Sequence, residues 1–405
     1  MAKQPYRYPF PPFPAGWFSI AYSDELGAGQ VKPIKALGRE LVLFRGQDGA
    51  ARVFDAWCPH LGAHLGHAGY VEGNGVVCPF HRWRFNEEGR CVSIPYSSRS
   101  IPQQARVRSW TVREVNQSIF IWYSPSDACS MQSSAASVPA WELPVVPEVG
   151  VAGWTRLRSI DRVANFHCQE IRENGVDPAH FDTVHGFPAQ EFDVTIKDHV
   201  LTQRSQLKAQ LGPEASDTAQ LQVDYHGLGY AVARQRIGNI EVLVLSHVTP
   251  LDEDTTRLRF AISLRRLPSL RSISALFSHL REAGGKQGAW GMARRFAATA
   301  RPRELLLQLS SALQDTARGV AASRGRWLLE ELLTQLIAIP STVDLGRQLD
   351  QDIYITENKT YFNKPLYRDG EHTIHAMRLW AQQFYPESAP TEASSPAFTL
   401  QKQAG

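Results

Sequence analysis

Two short loops, Cys58-Pro59-His60-Leu61-Gly62 and Cys78-Pro79-Phe80-His81-Arg82-Trp83, constrain this chain of 405 residues more than any other feature. Each offers one thiol and one imidazole, and 17 residues separate His60 from Cys78. Two thiolates on one iron and two neutral imidazoles on the other make a mixed-ligand [2Fe-2S] cluster, with a potential above that of an all-cysteine cluster. A structural Cys2His2 zinc site needs the same donors but usually keeps its cysteines together and its histidines together. One of each in both loops favours the cluster, and with it a chain that handles electrons. Gly62 and Gly66 let the first loop turn closely. Asn86-Glu87-Glu88-Gly89 reads as the turn of a hairpin whose strands carry Trp83, Phe85, Cys91 and Val92, so the loops should sit on a β-rich domain.

The loops resemble those of the Rieske domains of ring-hydroxylating oxygenases and their ferredoxins. Respiratory Rieske proteins carry an extra cysteine in each loop, paired as a disulfide; Ala63 and Phe80 stand at those places here. The resemblance therefore implies the lower-potential, oxygenase-type cluster, held by Cys58, His60, Cys78 and His81.

A cluster domain requires roughly 100 residues, so the chain should contain two or three domains. A hydrophobic content of 43% suits a globular protein. No apolar run of about 18 residues and no N-terminal signal pattern appear, which predicts a cytoplasmic protein without a transmembrane segment. Of the five cysteines, Cys91, Cys129 and Cys168 remain once the cluster takes two; they suit ordinary thiols and cannot build a second, four-cysteine cluster. The sequence holds no convincing G-x-G-x-x-G dinucleotide fingerprint. Electrons must then come from another protein, with NAD(P)H acting only through a separate reductase, and no nucleic-acid partner is expected.

Composition divides the chain into a proline-rich arm (1–16), the β-rich cluster domain (17–123), a Ser-, Ala- and Pro-rich linker (124–150), a second domain (151–385) and a polar tail expected to be disordered (386–405). Within the second domain, Arg265 to Arg326 contains twelve basic and three acidic residues at helical spacing, although the whole chain is only +3. That Arg-rich helical segment reads as a solvated face, a docking surface for an acidic ferredoxin, or a peripheral membrane contact.

The other constellation bearing chemistry is Asn174-Gly175-Val176-Asp177-Pro178-Ala179-His180-Phe181-Asp182-Thr183-Val184-His185. Two histidines near carboxylates suit a facial triad for non-haem iron, which leaves coordination positions open. Five residues turn an ideal helix about 140° beyond one full turn, so His180 and His185 can share a metal only if the helix ends between them. Gly186 and Pro188 supply such an ending. Asp177-Pro178 equally reads as a plain N-cap with a first-turn proline.

This segment resembles the N-x-x-D-x-x-H-x-x-x-x-H signature of Rieske oxygenase catalytic domains, so the chain resembles the Rieske non-haem iron oxygenases in both motifs. The resemblance implies an α+β fold, an antiparallel β Rieske domain followed by a helix-grip (START-like) catalytic domain. It makes His180 and His185 ligands of a mononuclear Fe(II), Asp177 the link between the two metal centres, and Asn174 a weaker supporting group. That link crosses between subunits in the family, implying a head-to-tail ring, commonly a homotrimer. The third ligand should be Asp344, Asp350 or Asp352; Asp350 and Asp352 point roughly 200° apart on a helix. The stretch Gln351 to Lys359 resembles the family's C-terminal helix, which favours Asp352. The expected activity is oxidation of a bulky hydrophobic polycyclic or natural-product substrate with O2, as a monooxygenase-type enzyme supplied by a ferredoxin or ferredoxin reductase. Parts of the C-terminal region resemble ketosteroid 9-hydroxylase oxygenases and cholesterol 7-desaturases. Other parts resemble aminopyrrolnitrin oxygenase, so arylamine N-oxygenation stays open; a pure Rieske electron carrier would need no second motif.

Overall fold

The structure, a computed structural model, describes residues 6–125, 137–208, 218–237, 240–266, 326–368 and 370–385. Residues 267–325, nearly all of the Arg-rich segment, and the tail 386–405 lie outside the described residues, as does Cys129.

The N-terminal half is built from short strands: β1 (Gly16–Tyr22), β2 (Val31–Ala36), β3 (Arg39–Arg45), β4 (Ala51–Asp55), β5 (Tyr70–Glu72), β6 (Gly75–Val77), β7 (Arg84–Phe85), β8 (Cys91–Ser93), β9 (Val112–Val115) and β10 (Ser118–Tyr123). They form three small antiparallel sheets, β1-β10-β9, β2-β3-β4 and β5-β6-β7-β8. The last carries the expected hairpin: Asn86 Oδ1 accepts from the Arg90 amide at 2.8 Å, and Gly89 takes φ +76°, which its lack of Cβ allows. Val42, Phe44, Phe54, Val76 and Phe85 close a core directly beneath Cys58 and Cys78.

The C-terminal half is one seven-stranded antiparallel sheet in the order β11-β17-β16-β15-β14-β13-β12. Its strands are β11 (Arg158–Ala164), β12 (Ala189–Lys197), β13 (Val200–Lys208), β14 (Thr218–His226), β15 (Tyr230–Ile237), β16 (Ile240–Pro250) and β17 (Thr256–Leu264). Among the described residues the α-helices are α1 (Cys168–Asn174), α2 (Pro178–Thr183), the 32-residue α3 (Arg326–Glu357) and α4 (His372–Ala381). Because strand side chains alternate, the sheet has two apolar faces. One packs Leu201, Val223, Tyr225 and Leu258 against Leu349, Leu345 and Ile353 of α3, so the sheet grips that helix. The other packs Tyr230, Val232, Leu243, Leu245 and Ala261 against Trp17, Phe120 and Trp122 of the N-terminal strands. The chain folds as an antiparallel β domain followed by a helix-gripping α+β domain.

The proline-rich arm and the expected linker both pack. Tyr8 is buried, its hydroxyl accepting from the His167 amide at 3.1 Å, and Phe10 sits on Tyr385 with ring centroids 5.2 Å apart. From residues 137–150, Leu143 and Val146 enter the core between the two halves, and Asn116 ties this stretch down through the Pro144 carbonyl and the Val146 amide. Among the described residues, no helix is long and apolar enough to cross a membrane.

Candidate metal centres

The two Cys-His loops are the same turn used twice. Cys58 N–H donates to Ala63 O and Gly62 N–H to Cys58 O; Cys78 N–H donates to Trp83 O and Arg82 N–H to Cys78 O, all between 2.9 and 3.1 Å. The fourth residue after each cysteine is left-handed, Gly62 at φ +71° and Arg82 at φ +59°. Arg82 adopts a conformation that a side chain disfavours, which marks the loop geometry as imposed. Cys58 and Cys78 are buried, and the His60 and His81 rings meet with centroids 4.6 Å apart. The Nδ1 atoms of both histidines are buried and accept or donate no hydrogen bond. Two such unpartnered nitrogens, one from each loop that also carries a buried cysteine, fit a cluster that takes one nitrogen and one sulfur from each loop. Burial pushes the Cys58 thiol up to about 12, so a thiolate there needs cationic iron beside it. Trp83 stacks on His60 at 4.7 Å, and its indole N–H donates to Tyr96 Oη at 2.9 Å. The sequence reading of the site does not include that aromatic brace, although Trp83 lies inside the second Cys-His loop.

The second motif wraps a corner. α1 is buried along nearly its whole length and is tied on several sides: Arg172 donates to Leu228 O at 2.9 Å and Ser246 Oγ at 2.8 Å, and Glu173 takes two hydrogen bonds from Arg378 at 3.0 and 2.7 Å. Asp177 then caps α2, its Oδ1 accepting from the amides of Ala179 at 3.0 Å and His180 at 3.2 Å. Pro178 fills the first turn, where no amide is needed. The helix stops at Thr183: Phe187 N–H reaches back to Phe181 O at 2.8 Å and Gly186 N–H to Asp182 O at 3.0 Å, with Gly186 at φ +75°. His180 thus projects from the helix and His185 from its unwound end, which lets both face one point.

α3 brings a carboxylate to that point. Asp352 Oδ1 lies 3.0 Å from His180 Nε2 and 3.1 Å from His185 Nε2, the three side chains being only 13%, 10% and 6% exposed. Among the described residues this is the one set of three potential metal-binding side chains that converges. Asp352 Oδ1 is buried, yet neither close contact has hydrogen-bond geometry. Lone pairs of two imidazoles and a carboxylate thus point at common space, as ligands of a cation do. Burial alone would raise the Asp352 carboxyl, but His180 and His185 outweigh it and hold the group below its usual range. The alternatives are engaged elsewhere: Asp350 pairs with Arg162 of β11 at 2.7 Å, and Asp344 with Arg347 of its own helix at 2.8 Å. Asn174 Nδ2 reaches Thr356 Oγ1 at 3.5 Å, one turn beyond Asp352, and so touches the helix carrying the carboxylate.

Comparison with known proteins agrees with this arrangement. Residues 16–112 match the Rieske [2Fe-2S] domain family, and residues 132–283 with 328–385, more than half of the chain, match the 3-ketosteroid 9α-hydroxylase C-terminal domain family. The chain belongs to the Rieske oxygenases. This oxygenase-family chain is 41% identical to a cholesterol 7-desaturase of Ciona intestinalis over 43% of its own length and 35% of the relative's. It is 29% identical to a cholesterol 7-desaturase of Caenorhabditis elegans, over 94% of the chain and 78% of that protein. A probable 3-ketosteroid-9-alpha-monooxygenase oxygenase component of Rhodococcus rhodochrous is 28% identical, over 91% and 79%. The Ciona match and the similar one to Bombyx mori span about a third of those relatives, 35% and 36%. Among solved structures, dicamba monooxygenase bound to dicamba superposes with a TM-score of 0.57 at 16% identity, over 92% of the Rieske chain and 97% of that one. The Pseudomonas putida NdmA QL mutant with caffeine gives 0.59 at 14%, over 90% and 89%.

Proposed function

We propose that the chain is the oxygenase component of a Rieske system that hydroxylates or desaturates a sterol-like, mostly apolar substrate. The observation that carries this reading is the convergence of His180, His185 and Asp352 in a chain that also holds a Rieske domain. In it, Cys58, His60, Cys78 and His81 hold the [2Fe-2S] cluster, and His180, His185 and Asp352 hold a mononuclear ferrous ion. When bound, these groups supply single electrons and activation of O2, the electrons coming from NAD(P)H through a separate ferredoxin or reductase.

The protein's own residues position and protect. Asp177 fixes the first turn of α2 through His180 N–H and is the group through which a neighbouring subunit's cluster would communicate, in a head-to-tail homotrimer. Asn174 and Thr356 hold α1 against α3, which keeps Asp352 in register with the two histidines. In this reading the apolar cluster between sheet and α3 would keep water from the reacting region. The names of the relatives support a sterol-like substrate, since cholesterol and 3-ketosteroids appear in them over most of the chain.

Metal analysis tests the assignment. Purified protein should carry about three irons per chain with a reddish-brown spectrum. About two irons would make it an electron carrier, and zinc in a colourless protein would end the reading. Mass spectrometry of products from a steroid, arylamine and polycyclic panel with a surrogate reductase then identifies the chemistry.

A further inference from the structure

Strand β13 carries Leu201, Gln203, Ser205 and Leu207 at alternating positions, so all four share the face turned toward α3. Two of these are out of place in an apolar interior. Gln203 is 0% exposed and, among the described residues, neither its amide oxygen nor its amide nitrogen has a hydrogen-bond partner; Ser205 is 5% exposed and its hydroxyl is equally unpartnered there. Buried polar atoms left unpaired are destabilising, so such atoms in a native fold signal a partner that arrives from outside the chain.

Their surroundings define the partner. Gln203 lies opposite Val194 on β12 and Val223 on β14, and Ser205 opposite Phe192 and Leu221. Directly paired residues share a face, so the polar pair is framed by apolar side chains with Leu201 and Leu207 above and below. None of these neighbours is charged. Among these residues a carboxylate, phosphate or ammonium would meet no counter-charge, whereas a neutral ketone or hydroxyl could accept from the Gln203 amide nitrogen and a hydroxyl could also donate to its oxygen. The frame also leads to the triad: the Phe192 ring is 5.8 Å from that of Phe181 on α2, and Phe181 lies 6.3 Å from the His180 ring and 6.5 Å from His185.

We infer that Gln203 and Ser205 form a polar anchor that hydrogen-bonds a neutral hydroxyl or ketone on an otherwise apolar substrate and thereby sets which part of it faces the triad. The inference rests on the proposed oxygenase function and places the substrate beside this face of the sheet. A site built to pair such an oxygen rejects the analogue lacking it, because the amide is then left unpaired.

The test is equilibrium binding to the full-length holoprotein of two probe pairs, cholest-4-en-3-one against cholest-4-ene and 2-naphthol against naphthalene. Wild type should prefer the oxygenated member of at least one pair by about 10- to 100-fold. Gln203→Leu and the Gln203→Leu/Ser205→Ala double variant should lose that preference by weakening the oxygenated probe alone, and should melt no lower than wild type. The milder Ser205→Ala variant, which removes a single oxygen, should reduce the preference in part. Three outcomes overturn the anchor: no preference in wild type, including no binding of either pair; a preference that survives in the double variant; or unchanged preference with lowered melting, which would assign the pair to ordered water only. Discrimination confined to the naphthol pair would keep the anchor and remove the sterol-like substrate. Discrimination in a protein that turns nothing over would keep the anchor and remove the oxygenase reading.

Discussion

Replacing Gly175 by Ala isolates how tightly the corner before α2 is built. Gly175 has φ −73° and ψ −8°, which alanine adopts without strain, so the backbone does not demand glycine here. Space does: a Cβ would stand 2.1 Å from Tyr225 Oη and 3.3 Å from Cζ of the same ring. Tyr225 is buried in the core that joins sheet to α3 and cannot swing away freely. Two opposing terms follow. Removing glycine restricts the unfolded chain and favours folding by about 0.4–1 kcal/mol. Overpacking costs about 1–3 kcal/mol. The net expectation is destabilisation of about 1–2 kcal/mol, which for a domain of this size lowers the melting temperature by about 2–8 °C. Tyr225→Phe removes the clashing oxygen and leaves a 3.3 Å contact that a shift of tenths of an ångström relieves. In that background Gly175→Ala should be neutral or stabilising, giving a coupling of about 1–3 kcal/mol in a double-mutant cycle read by thermal unfolding. Iron content gives a second readout, since Gly175 lies two residues before the Asp177 cap; the single variant should bind less iron than the double. A Gly175→Ala protein as stable as wild type, or one equally destabilised with and without the Tyr225 hydroxyl, would refute the steric argument.

Asp352→Ala should abolish mononuclear iron while leaving the cluster absorption intact. Asp350→Ala should retain both metals and lose about 1 kcal/mol of stability from the Arg162 pair, a contrast that metal analysis and unfolding resolve together. Cys78→Ser should remove the visible absorption of the cluster and leave triad iron in place if the two centres assemble independently. Glu25 accepts two 2.8 Å hydrogen bonds from Arg259, which joins the turn after β1 to β17; burial raises the Glu25 carboxyl, but Arg259 outweighs it and the folded value lies below the ordinary one. The contribution is therefore present above the unfolded value near ~4.3 and is lost as pH falls through the lowered folded value. Glu25→Gln should flatten that part of the acid unfolding profile; an unchanged acid limb would separate this pair from acid stability.

The candidate donors that the structure brings together at the second centre include two histidines legible in the sequence, because that chemistry is local: His180 and His185, with the capping Asp177 and the turn Gly186, lie within a dozen residues. The choice among Asp344, Asp350 and Asp352 is different, because it depends on which face of α3 meets the triad and which meets Arg162 on β11. Packing of the N-terminal arm was also out of reach. Proline richness marks Pro5 to Pro14 as extended, but that Tyr8 and Phe10 land on His167 and Tyr385 depends on partners more than 150 residues away. Leu143 and Val146 sit in a Ser-, Ala- and Pro-rich stretch whose composition reads as a connector, and they are buried because a sheet face arrives from elsewhere. Gln203 and Ser205 left a faint signal, two polar residues at the inward period of Leu201 and Leu207. Only the assembled sheet reveals that nothing among the described residues satisfies them.

The seven-stranded sheet with an apolar lining on each side has a consequence for engineering. Many electron-transfer modules can be exchanged as cassettes because they meet their partners through polar surfaces. Here Trp17, Phe120 and Trp122 are as much the cover of the C-terminal sheet as they are part of the N-terminal half. Grafting a foreign ferredoxin onto residues 151–385 would expose Tyr230, Val232, Leu243 and Leu245 as a sticky plane. A productive chimera must carry β1, β9 and β10 with the acceptor and place its splice sites between β1 and β2 and between β8 and β9.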